Sequence, residues 1–231
     1  MRRIMIAAML ACLAAPASAA ERRYSVTDFD RIQVEGPFEV TLTTGRSGSA
    51  TATGDLRAID RLSLEVQGRT LRIRPNRSAW GGYPGESVSG PVKIAVSTRD
   101  LRAASVNGSG SVAVDRATGL RFDLTVLGTG RIGIAKVEAD NLFVGLMGSG
   151  KIELAGKTKE FVATIQGTGN LEASDLTAEE AKINADTAGE ISVGVRRDAE
   201  IIATGHGDTT IIGNPACNVK SQGAGRVTCG S

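Results

Sequence analysis

From about residue 104 onward, apolar and polar positions alternate in short runs, and a small glycine-bearing triplet interrupts every run. Phe122, Leu124 and Val126 precede one triplet, and Ile132 and Ile134 follow it. Leu142, Val144 and Leu146 precede the next, and Ile152 and Leu154 follow. Phe161, Ala163 and Ile165 lead into Leu171 and Ala173, and Ala181, Ile183 and Ala185 into Ile191 and Val193. A period of two marks a β-strand with one face buried. The interruptions are Gly108-Ser109-Gly110, Gly128-Thr129-Gly130, Gly148-Ser149-Gly150 and Gly167-Thr168-Gly169. The series weakens to Thr187-Ala188-Gly189, then returns as Gly205-His206-Gly207 and Gly223-Ala224-Gly225. The last glycine of each triplet recurs every 18 to 20 residues, seven times.

Each unit therefore reads as strand, sharp bend, strand, then a wider turn at Asp115, Gly119, Asp140, Gly156, Asp175, Asp198 or Asn214. Such residues form turns. A unit this short cannot bury its apolar side alone, but a stack of identical units can. The expectation is an all-β fold, a parallel β-helix (β-solenoid) with coils of about 20 residues. An antiparallel meander is the alternative; the constant period and phase favour the stack. The glycines have a steric reason, because bends repeated at one height bring backbone onto backbone, and some need φ > 0.

Residues 21–96 read as a less regular β portion. Ile32 and Val34 alternate, as do Phe38, Val40 and Leu42, then Leu62, Leu64 and Val66, then Leu71 and Ile73. This portion is either a looser set of coils or a β-layer covering one end of the stack. A Gly/Ser/Pro-rich loop over 76–91 interrupts it and carries Trp80 and Tyr83. A loop of that length in a compact domain is functional or mobile. Residues 97–231 form the repeat solenoid, and 21–231 together read as one continuous domain.

The first twenty residues stand outside the fold. Arg2 and Arg3 precede an apolar run from Ile4 to Ala15, and Ala17-Ser18-Ala19 or Ser18-Ala19-Ala20 supplies small residues for cleavage. That pattern predicts a signal peptide over 1–20. Lipidation at Cys12 is a variant that Met9-Leu10-Ala11 fits poorly. No later stretch is apolar and long enough for a transmembrane helix. The expected location is the periplasm or the cell surface.

Charge changes meaning once the leader is removed. Two of the 27 Lys+Arg are Arg2 and Arg3, while all 25 Asp+Glu lie beyond residue 20, leaving 25 against 25. The electrostatic case for nucleic acid disappears. Only one histidine is present, His206. Metal sites and acid–base chemistry built on histidine clusters are excluded, and no cofactor is expected. The residues after the triplets form no carboxylate ladder, which argues against calcium. Cys217 and Cys229 flank the last bend at inward-pointing positions and read as a disulfide inside the final coil.

The ordered series resembles a known family. Phe29-Asp30-Arg31-Ile32, Gly36-Pro37-Phe38-Glu39-Val40, Gly54-Asp55, Gly68 with Leu71 and Ile73, and Val92-Lys93-Ile94-Ala95-Val96 resemble its opening. Val106-Asn107-Gly108-Ser109-Gly110 and its repeats complete the match over about residues 27–228. These are similar to the head GIN domain family, a domain of unknown function described as the head of auto-transporter adhesins. The resemblance implies a right-handed β-helix and supplies no catalytic residues. The adhesin label is an analogy of architecture rather than a mechanism.

Two outward files before the bends are small and mostly neutral. One runs Ser105, Thr125, Gly145, Thr164, Asn184, Ile202, Lys220, and the other Asn107, Leu127, Met147, Gln166, Asp186, Thr204, Gln222. No clustered carboxylates stand there for glycoside chemistry. The candidate interaction surface is Thr125, Leu127, Met147, Thr164, Gln166 and Asn184, with Trp80 and Tyr83 as aromatic anchors. The reading is an exported, non-catalytic envelope or cell-surface module, adhesin-like, meeting an envelope protein or a glycan. The alternatives are a periplasmic structural or assembly protein using its strand edges, and a polysaccharide lyase or hydrolase.

Overall fold

The computed structural model describes residues 20–76 and 92–230. The chain opens with β1 (Ala20–Tyr24), β2 (Arg31–Glu35), β3 (Glu39–Thr44) and β4 (Ser49–Gly54). A short helix, α1 (Leu56–Asp60), leads into β5 (Leu62–Gln67), β6 (Thr70–Pro75) and β7 (Lys93–Thr98). The repeat region follows as β8 (Ala103–Gly108), β9 (Ser111–Val114), β10 (Ala117–Gly128), β11 (Arg131–Gly148), β12 (Lys151–Gly167), β13 (Asn170–Thr187) and β14 (Ile191–Ala203). It ends with β15 (Thr209–Ile212), β16 (Ala216–Ser221) and β17 (Val227–Cys229).

The repeats stack as parallel coils. Gly128 pairs with Gly148 and Gly148 with Gly167, so the bends lie directly above one another. The coils form a β-solenoid of about six turns. Core positions line up in files, such as Leu124, Val144, Ala163, Ile183 and Ile201. All five are buried. Stacking like on like gives each coil an apolar floor and ceiling, and each Leu or Ile so buried contributes about 2 kcal/mol.

Each coil has three sides, not two strands and a turn. The first side precedes the bend and the second follows it. The supposed wide turn is a short third side. Ala117, Val137, Gly156 and Leu176 are in register there, as are Ala139, Thr158 and Ala178. All but Gly156 are buried. Bulges between Ile134 and Val137, and between Glu153 and Ala155, turn the corner. A bulge adds one residue and reverses which positions face inward. That shift hid Val137 and Ala139 from a strict period-two count.

The two glycines of a triplet meet different demands. Gly128 has φ +108°, a left-handed conformation that other residues avoid. A Cβ at Gly130 would lie 2.7 Å from the carbonyl oxygen of Gly110 one coil below.

The N-terminal portion does continue the solenoid, but out of chain order. β2 pairs in parallel with both β6 and β8, and β3 with both β7 and β9. The β2/β3 coil is thus threaded between a coil made of β6 and β7 and the β8/β9 coil. Its bend, Gly36-Pro37-Phe38, lies under Gly108-Ser109-Gly110: Gly36 N donates to Asn107 O at 3.0 Å and Ser111 N to Phe38 O at 2.8 Å. The pairing turns antiparallel only at the base, where β4 joins β7, β1 joins β4 and β5 joins β6. There α1 closes the core with buried Ala58 and Ile59. Asp55 caps it, accepting from Arg57 N at 2.9 Å and Ala58 N at 3.3 Å.

Among the described residues, the opposite end carries no such cover. Every residue of β16 is exposed. Cys217 and Cys229 form the expected disulfide, with Cα atoms 6.7 Å apart. They are not indoors, however: Cys217 is exposed and Cys229 half-buried. Cys217 pairs with the buried Ala199, so its file is the inward one, but no coil among the described residues stacks above it.

Candidate interaction surface

In β10 the core residues Phe122, Leu124 and Val126 alternate with Arg121, Asp123, Thr125 and Leu127, which point outward on the first side. In-register stacking brings the expected residues together. Thr125 pairs with Gly145, Gly145 with Thr164 and Thr164 with Asn184. Leu127 pairs with Met147, Met147 with Gln166 and Gln166 with Asp186. Neighbouring strands lie about 4.8 Å apart, so these are contact distances. Trp80 and Tyr83 lie outside the described residues.

The middle of this face is more apolar than those two files imply. Met147 is 47% exposed and Leu127 37%. The adjoining file runs Asp123, Phe143, Val162, Lys182 and adds Phe143 and Val162, both half-buried. The same alternation that marked Thr125 also marks Phe143, one file further from the bend. Arg121 lies over the Phe143 ring, 4.2 Å from its centroid. Asp123 fixes it there, accepting from Arg121 Nε at 3.0 and 3.1 Å and from Nη2 at 2.8 Å. That hydrogen bonding raises the Arg121 pKa above its ordinary value.

Gly145 leaves a dip at the centre. A Cβ there would find only Leu124 O at 3.8 Å and Thr125 Oγ1 at 3.9 Å. Around the dip, the side chains of Thr125, Thr164, Gln166 and Asn184 make no hydrogen bond among the described residues. Polar groups left unbonded beside exposed apolar ones are what a contact surface offers a partner.

The second side carries charge that the first-side files do not reveal. Lys151 Nζ lies 2.5 Å from Glu153 and 2.6 Å from Glu172, whose backbones are paired across β12 and β13. The bond to Glu153, then that to Glu172, holds the Lys151 pKa above the usual lysine range. A shallow trough of about 410 Å³ borders this pair, floored by Ala113, Gly133 and Ala135. Both carboxylates are committed to one ammonium. Among the described residues no group of three His, Cys, Asp or Glu is arranged to hold a metal ion. His206 is exposed at its bend.

Stacked parallel coils define the class: a parallel β-solenoid. A family model described as "Putative auto-transporter adhesin, head GIN domain" matches residues 28–215, and the chain belongs to that family. Solved structures share the fold. A "putative adhesin" from Bacteroides fragilis superposes with a TM-score of 0.82 at 20% identity, covering 92% of this chain and 97% of the other. A "putative lipid binding protein" from Parabacteroides distasonis gives 0.69 at 24% identity, with 93% and 97% covered. A "putative adhesin" from Parabacteroides merdae gives 0.68 at 16%, with 93% and 97% covered. No curated protein matches the sequence.

Proposed function

We propose that this protein is an exported, non-catalytic interaction module of the cell envelope or surface, and that the first side of its solenoid is the contact face. One observation carries the reading. Thr125, Thr164, Gln166 and Asn184 hold unused hydrogen-bonding groups around Leu127, Met147 and the dip at Gly145. Export is supported by the leader-like residues 1–20 and by the disulfide, since such bonds persist in oxidising compartments. No helix among the described residues is long and apolar enough to cross a membrane. The adhesin descriptions of the family and of its structural relatives fit a surface role.

The test is binding to envelope fractions and glycan arrays, comparing the wild type with the Leu127→Glu/Met147→Glu double variant. Both positions are exposed, so the fold should survive. At least a ~30-fold loss of binding is expected if these residues are central. Unchanged binding sinks the face assignment. Release of reducing ends or unsaturated products from a polysaccharide panel would sink the non-catalytic reading.

A second reading has its own observation. Among the described residues β16 pairs only with β14 and β17 only with β15, and an added strand from an assembly partner would complete their free edges. Protease shaving of intact cells distinguishes a surface module from a periplasmic assembly protein.

A further inference from the structure

We propose that the first side is a self-recognition surface, on which two copies of this chain pack face to face with their solenoid axes antiparallel. The inference rests on the interaction-module reading and names the partner as a second copy.

The face has a symmetry that the coils alone do not require. Its strands follow the order β5, β6, β2, β8, β10, β11, β12, β13, β14, β16, so β11 stands next to the middle of ten, with four strands on either side before β5 is reached. Most of the exposed apolar residues of the face lie there, Phe143 and Met147 on β11, Leu127 on β10 and Val162 on β12, with Ile202 further out on β14. Charge is graded to either side. Toward β6 the outward cations are Arg31, Arg72, Arg74 and Arg121, against Glu35 and Asp123. Toward β16 the outward acids are Glu160, Glu180, Asp186, Asp198 and Glu200, against Lys182 and Lys220. Internal pairs neutralise some of these: Arg74 with Glu65, Arg121 with Asp123, Lys182 with Glu160, and Arg197 with Glu180. That leaves Arg31 and Arg72 against Glu35 on one half, and Asp186, Asp198 and Glu200 against Lys220 on the other, so the first half stays positive and the second negative.

Packing two such faces with parallel axes sets like charge on like. A two-fold axis lying in the face along β11 reverses the gradient and keeps the apolar centre on itself. In that frame β10 meets β12 of the second copy, and β2 meets β14. Arg31 and Glu200 belong to one outward file and lie three strands from β11 on opposite sides, so they come opposite each other. Arg121 and Glu160 lie one strand from β11 in another file and do the same. Twisted sheets packed face to face cross at about 30°, which centres contact on β11 and lets the strands beyond β2 and β14 diverge. At about 4.8 Å between strands and ~3.3 Å per residue, the span from β2 to β14 is roughly 29 by 26 Å, or on the order of 750 Å². A standard interface needs about 800 Å² per partner.

The test is sedimentation equilibrium on the protein secreted under its own leader and purified. A reversible dimer is expected, weakening as salt rises. Met147→Glu should raise the dissociation constant about 30-fold with the melting temperature unchanged. Arg31→Glu and Glu200→Arg should each raise it about tenfold. Neither side chain makes a direct ion pair among the described residues, but Glu200 stands beside Lys182 in the same file and helps raise its pKa, so the melting temperature of Glu200→Arg is measured alongside its dissociation constant. The double variant R31E/E200R should dimerise like the wild type. A monomer at every concentration up to about 1 mM, a dimer indifferent to Met147→Glu, or a double variant no better than the singles would overturn the proposal. The two readings fail separately. A monomer that still binds envelope through Leu127 and Met147 ends self-recognition and leaves the module standing. A dimer on this face whose disruption leaves envelope binding untouched supports self-recognition and ends the face's role toward other ligands.

Discussion

Gly130 and Thr129 are neighbours on one bend, yet a side chain costs very different amounts at the two. Thr129 is exposed, whereas a Cβ at Gly130 meets the Gly110 carbonyl oxygen at 2.7 Å. Gly130→Val should therefore destabilise by about 3 kcal/mol and Thr129→Val by less than about 0.5 kcal/mol, read from thermal or urea melts. Equal losses would contradict the stacked geometry. The weakened triplet shows how a bend survives without its first glycine. Thr187 takes the place of Gly167; its hydroxyl donates to Gly169 O at 3.3 Å and accepts from Gly189 N at 2.9 Å. Lys151 gives a residue-scale pH prediction. Its folded pKa lies above the ordinary lysine value, so its stabilising effect is complete at neutral pH and is lost as pH rises through the folded value. The melting-temperature gap between wild type and Lys151→Met should hold from about pH 6 to 9 and close in the alkaline range above about pH 10.4. A gap that opens or closes near neutrality would refute that linkage.

The elements at the two ends differ in how they close the core. At the base, α1 buries Ile59 and is capped by Asp55. Ile59→Ala should cost 2–5 kcal/mol by the usual large-to-small range, and Asp55→Ala about 1 kcal/mol, both measured by denaturant unfolding. At the far end the disulfide ties β16 to β17 across 12 residues. Reduction should release a loop-closure constraint of roughly 3 kcal/mol. Because β16 and β17 have a neighbour on one side only, faster hydrogen exchange should be confined to those strands. Exchange quickening throughout β10–β13 would mean that the last coil is no independent unit. The strands of the repeat region and their inward files were legible because period two and the triplets are local signals. So was the file of Phe143 and Val162, although the strictly neutral reading of the face stopped one file short. The third side was not, because each bulge resets the alternation before Val137, Ala139, Leu176 and Ala178. Nor was α1, whose five residues carry no period that could be told from a turn.

At the scale of the whole molecule, each repeat coil leans only on its neighbours, so losing an end coil should be tolerated and losing an inner one should not. Truncation after Ile212 removes β16 and β17 and should lower the melting temperature while preserving the β-rich circular dichroism spectrum. Deleting residues 20–44 removes a coil with partners on both faces and should abolish folding. If the second deletion melts cooperatively near the wild type, the threading of β2 and β3 is wrong. That threading had no sequence signal, since β2 and β8 meet across about 70 residues of chain and pairing at that distance leaves no local mark. It also sets a clock. A polypeptide emerges from the ribosome, or through any export channel, with its beginning first. Here the strands that appear first cannot complete either neighbouring layer until Lys93–Val114 have followed them out. β1 can pair with β4, β5 with β6 and β2 with β6 as soon as they emerge, but the β2/β3 coil stays incomplete on both faces until the later strands arrive.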